Sequence, residues 1–100
     1  MNSITKVSEI TWQDVAAYIR LPEVSQGDQN TLTNLINISI DFISKYTGVE
    51  VENLDNYNDM VIVVFILCQD MWDNRTLYVD NTNLNKVVET ILGMHSVNLL

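Results

Sequence analysis

The longest apolar run of the chain, residues 60–68, leads directly into a polar and aromatic segment, residues 69–75. The β-branched residues of the run would suit a buried strand. However, Met71 and Arg75 continue a helical stripe through and beyond it, so length favours a helix of about four turns. One chain of 100 residues can hardly surround such a helix, which suggests a subunit that packs against copies of itself. The alternative, a helix buried within its own subunit, stays open.

A short helix is predicted over residues 12–20, where apolar residues recur at helical spacing. Thr11 is its expected N-cap, and Asp14 stands in for the glutamate of a capping box. Pro22 is expected to stop the helix, because the residue before proline avoids the α region. Residues 1–10 are predicted to be an extended lead-in.

Two further helices are expected on either side of the apolar run. Asp28 is the predicted cap of a long helix that ends at Gly48, a residue type common in left-handed helix ends. Asn83 is predicted to cap a last helix that ends near Gly93, and residues 94–100 form an apolar tail. Together these elements predict one all-α domain over residues 1–100, a small bundle of four to five helices with a long buried central helix.

The connections between these helices are predicted to be solvated loops. Residues 49–59 are acidic and are expected to cap the central helix through Asp55, Asn56 or Asn58. The segment lacks the glycine and glutamate positions of an EF-hand, so calcium is not expected there. Residues 76–82 are predicted to form a loop before the last helix.

The formal net charge of −8 disfavours binding to nucleic acid or to an anionic membrane surface. Asp59 and Asp70 bracket the apolar run too closely for a membrane span of about 20 residues. No membrane association is therefore expected. The five cations are scattered singly: Lys6, Arg20, Lys45, Arg75 and Lys86.

Residues suited to catalysis or metal binding are few. The single cysteine, Cys68, lies inside the apolar run, and the single histidine, His95, has no evident partner in the sequence. Zinc needs about four such ligands, and a buried thiol is a poor nucleophile because its pKa is raised. The sequence therefore predicts no catalytic residue, no metal, no cofactor and no enzymatic activity.

Five short motifs, in order and spacing, resemble those of the head–tail connector (adaptor) proteins of long-tailed bacteriophages and prophages. The resemblance covers nearly the whole chain, although the family often has tyrosine-arginine where this chain has Met94-His95. The motifs are Ile4-Thr5 before Val15-x-x-Tyr18-Ile19-Arg20, Asp28 before Leu32-x-x-Leu35-Ile36, Tyr46-Thr47-Gly48, Met71-Trp72-Asp73-Asn74-Arg75, and Val88-x-x-Ile91-Leu92.

The resemblance implies a structural virion protein of the head–tail junction, assembled in the host bacterial cytoplasm. Such proteins form a homo-oligomeric ring of about a dozen subunits, a closed head-to-tail arrangement. The ring lies under the portal protein and joins the capsid to a tail-side connector or head-completion protein. Double-stranded DNA passes through its lumen without specific binding. The alternative function is a small helical interaction module or regulator, such as an antitoxin-like adaptor, without catalysis.

The candidate assembly residues lie at the end of the central helix and in the loop that follows. They are Trp72, Asp73, Arg75 and Tyr78. Arg75 is expected either to offset the helix dipole as an intrachain cap or to pair with a carboxylate across an interface. Both alternatives stay open at the level of sequence.

Overall fold

The computed structural model of the chain describes residues 4–96, which contain helices and no strand. The predicted all-α bundle is therefore confirmed. Its four α-helices are α1 (Trp12–Ile19), α2 (Gln26–Thr47), α3 (Met60–Asn74) and α4 (Lys86–His95), and its three short 3₁₀ helices are Val7–Glu9, Val51–Asn56 and Asn81–Asn83.

Helix α1 starts as predicted, with a complete capping box. The Asp14 amide donates to the Thr11 hydroxyl at 3.4 Å, and the Thr11 amide donates to the Asp14 carboxylate at 2.8 Å. The helix stops at Ile19 because Arg20 adopts a left-handed conformation, with φ of 68°. Pro22 lies beyond this turn, so α1 ends at the left-handed Arg20 and not at the proline that was expected to stop it.

Helix α2 begins earlier than predicted. Ser25, not Asp28, is the N-cap, and its hydroxyl accepts the Asp28 amide at 3.1 Å. Asp28 is instead the third helical residue and accepts the Ser25 amide, which completes a second capping box. The predicted end is confirmed, because Gly48 follows the helix with φ of 79°.

The lead-in and the acidic connector are bound to each other, and each contains a 3₁₀ helix, so the lead-in is not extended throughout as predicted. Ser8 lies in the 3₁₀ helix Val7–Glu9 and donates to Asp55 from its amide at 2.9 Å and from its hydroxyl at 2.6 Å. Asp55 is therefore not the cap of α3. Buried Val7 and Leu54 bring apolar surface to the same contact, so burial has drawn both segments against the bundle.

Helix α3 is the centre of the core. Seven of the nine residues in the run 60–68 are buried, and the other two are half-buried. The ring of Phe65 stacks on Tyr18 of α1 with the centroids 5.1 Å apart. The suggestion that one chain could not surround this run is thus wrong, because the helices of the same subunit cover it.

Both ends of helix α4 differ from the prediction. Asn85, not Asn83, caps α4 by accepting the Val87 amide at 2.8 Å. The helix also continues through Gly93 to His95, whose imidazole lies 2.8 Å from the Asp59 carboxylate at the start of α3. This contact holds the final turn of α4 in place. Met94 and His95 thus belong to α4, and residues 97–100 of the predicted tail lie outside the described residues.

Candidate interaction surface around the end of helix α3

The chain reverses at the end of α3 through a left-handed residue. Arg75 has φ of 55°, and its amide donates to carbonyls of the last helical turn. The Thr76 amide then donates to the Met71 carbonyl at 3.0 Å, which is the long bond of a Schellman turn. The turn stops the helix and directs residues 76–84 across the surface of the bundle.

The side chain of Arg75 lies on the indole of Trp72. Its guanidinium carbon is 5.0 Å from the ring centroid, a cation–π arrangement that contributes about 0.5–1 kcal/mol when exposed. Within residues 4–96, the two contacts between a basic and an acidic side chain are Lys45–Asp41 and His95–Asp59, so neither involves Arg75. The backbone of Arg75 therefore caps α3, while its exposed guanidinium keeps its donors available to a partner.

Uncompensated acidic groups surround the same helix end. Partial burial raises the pKa of the Asp70 carboxyl above its usual range, and the nearby charge of Asp73 raises this pKa further. Asp73 itself is exposed. This rim is negative, because Arg75 lies against Trp72 rather than against either carboxylate.

Two apolar side chains project into solvent just after the turn. Leu77 retains 63% of its accessible surface and Tyr78 retains 61%. They follow Thr76, whose hydroxyl donates to the Tyr78 carbonyl at 3.4 Å. Adjacent large exposed apolar groups make this segment a candidate surface for contact with another molecule.

Leu77 and Tyr78 form one wall of an apolar groove, and helix α2 forms the other. Ile38, Phe42 and Tyr46 follow one another at intervals of four residues, so they share one face of α2. The Phe42 and Tyr46 rings contact each other at 5.6 Å between centroids. These five residues define what we call the aromatic groove, which has a volume of about 370 Å³.

A second groove lies on the other side of residues 76–84 and is more polar. It has a volume of about 390 Å³, and Asp70, Asn74 and Asp80 contribute polar groups to its walls. Hydrogen bonds from Thr82 and Asn83 lower the pKa of the Asp80 carboxyl. We refer to this second cavity as the acidic groove.

Helix α4 carries another exposed apolar feature. Val87 and Met94 retain 52% and 67% of their accessible surface, and Ile91 between them is half-buried. Positions i, i+4 and i+7 lie on one side of a helix. These three residues define the α4 ridge, which lies beside the buried residues Val88 and Leu92, and Ile91 also packs against the core.

Cys68 and His95 lie in separate environments. Burial raises the pKa of the Cys68 thiol to about 11, although a contact with the Ser39 hydroxyl at 3.6 Å partly opposes this effect. His95 has a partner that the sequence did not reveal, because it pairs with Asp59 and packs against the Tyr57 ring at 4.6 Å. These positions do not bring the thiol and the imidazole together.

No helix within residues 4–96 is long and apolar enough to cross a membrane. No group of three or more His, Cys, Asp or Glu side chains in the same residues is arranged to hold a metal ion.

The four residues predicted from sequence lie within one stretch at the end of α3. Trp72 and Arg75 contact each other, and the charge of Asp73 raises the pKa of Asp70. Tyr78 helps to line both grooves. Sequence reasoning missed Leu77, although an apolar residue beside Tyr78 in a predicted loop was a usable signal. It also missed the α4 ridge, because the residues that face solvent depend on how α4 packs.

Comparison of the chain with protein-family models, with curated proteins and with solved structures gives no match.

Proposed function

We propose that this protein is an assembly subunit that works by contact with other proteins. The observation that carries the proposal is the exposed pair Leu77 and Tyr78 beside the aromatic groove. Keeping such side chains in water costs about 25 cal/mol per Å² of apolar surface, and a partner that covers them recovers this free energy. The cation–π pair of Trp72 and Arg75 supplies aromatic and guanidinium groups, which are enriched at energetically important interface positions.

The particular assembly that we propose is the phage head–tail connector, a ring under the portal that joins capsid to tail. The motif resemblance supports it, and its parts fall on structural features of the bundle. Tyr46-Thr47-Gly48 ends α2, and Trp72 to Arg75 ends α3. The motif Val88-x-x-Ile91-Leu92 supplies the buried and half-buried side of α4.

The charge of the chain supports passage of DNA rather than capture of DNA. The formal charge is −8, and the five cations are dispersed along the sequence. A negative lumen repels phosphates and releases few counterions on contact, so a duplex would slide past it. We expect no measurable duplex binding at about 150 mM salt, where charges are screened beyond roughly 8 Å. Tight binding at that salt would contradict the conduit.

The deciding experiment measures assembly with the portal protein encoded in the same genome. Native mass spectrometry of the chain with the portal should show a ring of added subunits. The double variant Leu77→Ser/Tyr78→Ser should add fewer subunits, because it removes the exposed apolar pair. Val51→Ser is the matched control, since Val51 is 50% exposed and lies in a different part of the bundle.

Failure to bind any portal, with a folded and soluble chain, would exclude the connector. Capture of a different protein partner through Leu77 and Tyr78 would instead favour the second candidate, a helical interaction module. The two functions are thus separated by the identity of the partner, because both use the same exposed surface.

A further inference from the structure

We infer that a small pocket between helix α2 and the end of α3 binds a carboxylate side chain of a partner protein, with Arg75 as the group that recognises it. The inference rests on the proposed function for its expectation of a protein partner, and it names the chemistry that this partner must present. The pocket lies between α2, the last turn of α3 and the segment after that turn. The residues that line it include Thr31, Leu35, Met71, Trp72, Arg75 and Leu77, and we call it the arginine pocket.

The size and walls of the arginine pocket suit a single side chain. Its volume is about 170 Å³, whereas sites for cofactors and other small molecules span about 300–1,000 Å³. Leu35 and Met71 are buried core residues, so part of the wall is apolar. The exposed Leu77 provides more apolar surface beside the pocket. The occupant therefore combines a short aliphatic part with a polar end.

Arg75 determines which polar end fits. Its guanidinium carbon lies 5.0 Å from the centroid of the Trp72 ring. Within residues 4–96 this side chain makes no ion pair and no hydrogen bond. A guanidinium has five N–H donors and no acceptor, and contact with an aromatic face leaves the donors at its edge able to bind a planar acceptor.

The same pocket is lined by a threonine whose hydroxyl has no hydrogen-bond partner. Thr31 is half-buried, and its hydroxyl makes no hydrogen bond within residues 4–96. Serine and threonine hydroxyls in helices often donate to the carbonyl four residues earlier. The other serine and threonine hydroxyls of α2 all donate to a backbone carbonyl, and these are Thr33, Ser39, Ser44 and Thr47. Thr31 therefore adds a second donor without an acceptor.

A carboxylate is the acceptor that matches these donors. When ionised it carries two oxygens that only accept hydrogen bonds, and it can take two parallel N–H bonds from one guanidinium. Such charge-assisted bonds are about twice as strong as those between neutral groups, so an amide or a backbone carbonyl is a weaker fit. An aspartate or glutamate side chain supplies the carboxylate together with the short aliphatic part.

The charges around the pocket favour one carboxylate over a polyanion. Asp73 is exposed two residues before Arg75, and Asp70 lies close to Asp73. This negative rim repels a nucleic acid, which carries a phosphate charge about every 1.7 Å along a duplex. A protein segment brings a single negative charge to the guanidinium and meets less repulsion.

A pair of blocked peptides tests this preference on the full chain. Acetyl-Gly-Glu-Leu-Gly-amide carries one negative charge, and acetyl-Gly-Gln-Leu-Gly-amide has nearly the same shape without the charge. Two-dimensional ¹H–¹⁵N NMR follows the indole N–H signal of Trp72, with Trp12 of α1 as the internal reference. We expect the glutamate peptide to shift the Trp72 signal saturably with a Kd of about 1 mM. The glutamine peptide should bind at least about tenfold more weakly.

The two left-handed arginines provide a matched pair of variants. Arg75→Gln should weaken binding of the glutamate peptide at least about tenfold, because the charged donor is lost. Arg75→Lys should also bind more weakly than the wild type, since an ammonium lacks the planar fork. Arg20→Gln should bind like the wild type, because Arg20 has the same backbone conformation but lies outside the pocket.

Two threonines of α2 test the second donor. Thr31→Val keeps the shape and removes the hydroxyl, so it should weaken binding roughly two- to tenfold, the range for one hydrogen bond. Thr33→Val should leave binding unchanged, because the Thr33 hydroxyl already donates to the Gln29 carbonyl at 3.0 Å. Circular dichroism of every variant checks that the helices are retained.

Several results would overturn the inference. One is the absence of a saturable shift of Trp72 at about 10 mM glutamate peptide, which would fill most of a site with a Kd of 1 mM. Others are equal binding of the two peptides, equally tight binding of inorganic phosphate, or an equal loss in Arg20→Gln and Arg75→Gln.

Portal binding tests the proposed connector separately. A chain that binds the glutamate peptide through Arg75 but ignores the portal would leave this inference intact and exclude the connector. A chain that joins the portal but shows no carboxylate binding would keep the connector and overturn this inference.

Discussion

Helices α1 and α3 end in the same backbone turn and are followed by segments of opposite character. Each is followed by an arginine with positive φ, 68° for Arg20 and 55° for Arg75. In each turn the amide of the residue after the arginine donates to a carbonyl of the last helical turn at 3.0 Å. Leu21 donates to Ala16, and Thr76 donates to Met71. Beyond Arg20, Leu21 packs against the core. Beyond Arg75, Leu77 and its neighbour Tyr78 project into solvent.

This difference shows that the same backbone turn can serve two roles. At α1 the residue after the turn helps to stabilise the fold, whereas at α3 the apolar residues after the turn remain available for contact. A Schellman turn is often accompanied by an apolar contact from the residue that follows it, and Leu21 supplies such a contact at α1. The polar Thr76 takes the equivalent place at α3, and the apolar groups come later, in the exposed segment. Substitutions near the end of α1 should therefore affect folding, and those near the end of α3 should affect association.

The largest expected effect comes from the ring stack that anchors the end of α1. Phe65→Ala removes a buried ring that stacks on Tyr18 in the last turn of α1. We expect the free energy of unfolding to fall by about 3–5 kcal/mol, as for other buried phenylalanines. Urea denaturation measures this, and Phe65→Leu should lose much less. A loss under about 1 kcal/mol would mean that this contact is not part of the core.

A matched leucine pair gives the next effect. Leu21→Ala should lower the free energy of unfolding by about 1–2 kcal/mol, because a half-buried side chain loses part of its apolar contact. Leu77→Ala should change it by less than about 0.5 kcal/mol, as expected for an exposed position. Thermal melting of both variants checks the comparison. If both variants lowered the free energy of unfolding equally, the segments after α1 and α3 would not differ in their contribution to folding.

The two arginines provide the third test. A left-handed conformation costs a residue other than glycine about 1–2 kcal/mol, so Arg20→Gly should raise stability by up to about 1 kcal/mol. Arg75→Gly should gain less, because it also gives up the contact with Trp72. Arg75→Ala keeps the strain and loses the contact, so it should weaken folding or assembly. Unchanged melting together with unchanged oligomer size in Arg75→Ala would exclude any role for this side chain.

The smallest effect concerns pH. The pKa of Asp70 is raised in the folded chain, so the folded state holds that proton more tightly than the unfolded state. Ionisation of Asp70 therefore costs stability above its folded pKa, and the cost is absent below the ordinary value of 3.8. Asp70→Asn should melt slightly higher than the wild type at pH 7, and this advantage should disappear below about pH 4.

Asp55 provides a control of opposite sign for the pH test. Hydrogen bonds from Ser8 lower the pKa of Asp55, so its carboxylate stabilises the fold above pH 3.8 and loses this contribution as pH falls through the folded pKa. Asp55→Asn should therefore melt lower than the wild type at pH 7. Melting curves that shift in the same direction for both variants would contradict the assigned electrostatics.

Local signals predicted the helices well, and tertiary contacts account for what was missed. The Thr11 cap, the Gly48 end and the four-turn length of α3 follow from short-range chemistry, and all are present. The continuation of α4 through Gly93 depends on the distant pairing of His95 with Asp59. The position of the four candidate residues at and just after the end of α3 follows from the end of the apolar run, and their role in assembly stays a prediction. The groove beside them could not be predicted, because it depends on where residues 76–84 cross α2.

The buried thiol of Cys68 can be used to measure how often the core opens. It is the single cysteine of the chain, it lies beside Ser39 where α2 meets α3, and its thiol has a pKa of about 11. A thiol reagent can reach it only when these helices separate, so the labelling rate follows the opening of the core without an introduced probe. If neighbouring subunits pack along α2, labelling should slow as the protein concentration rises, because the contact favours the closed helix pair.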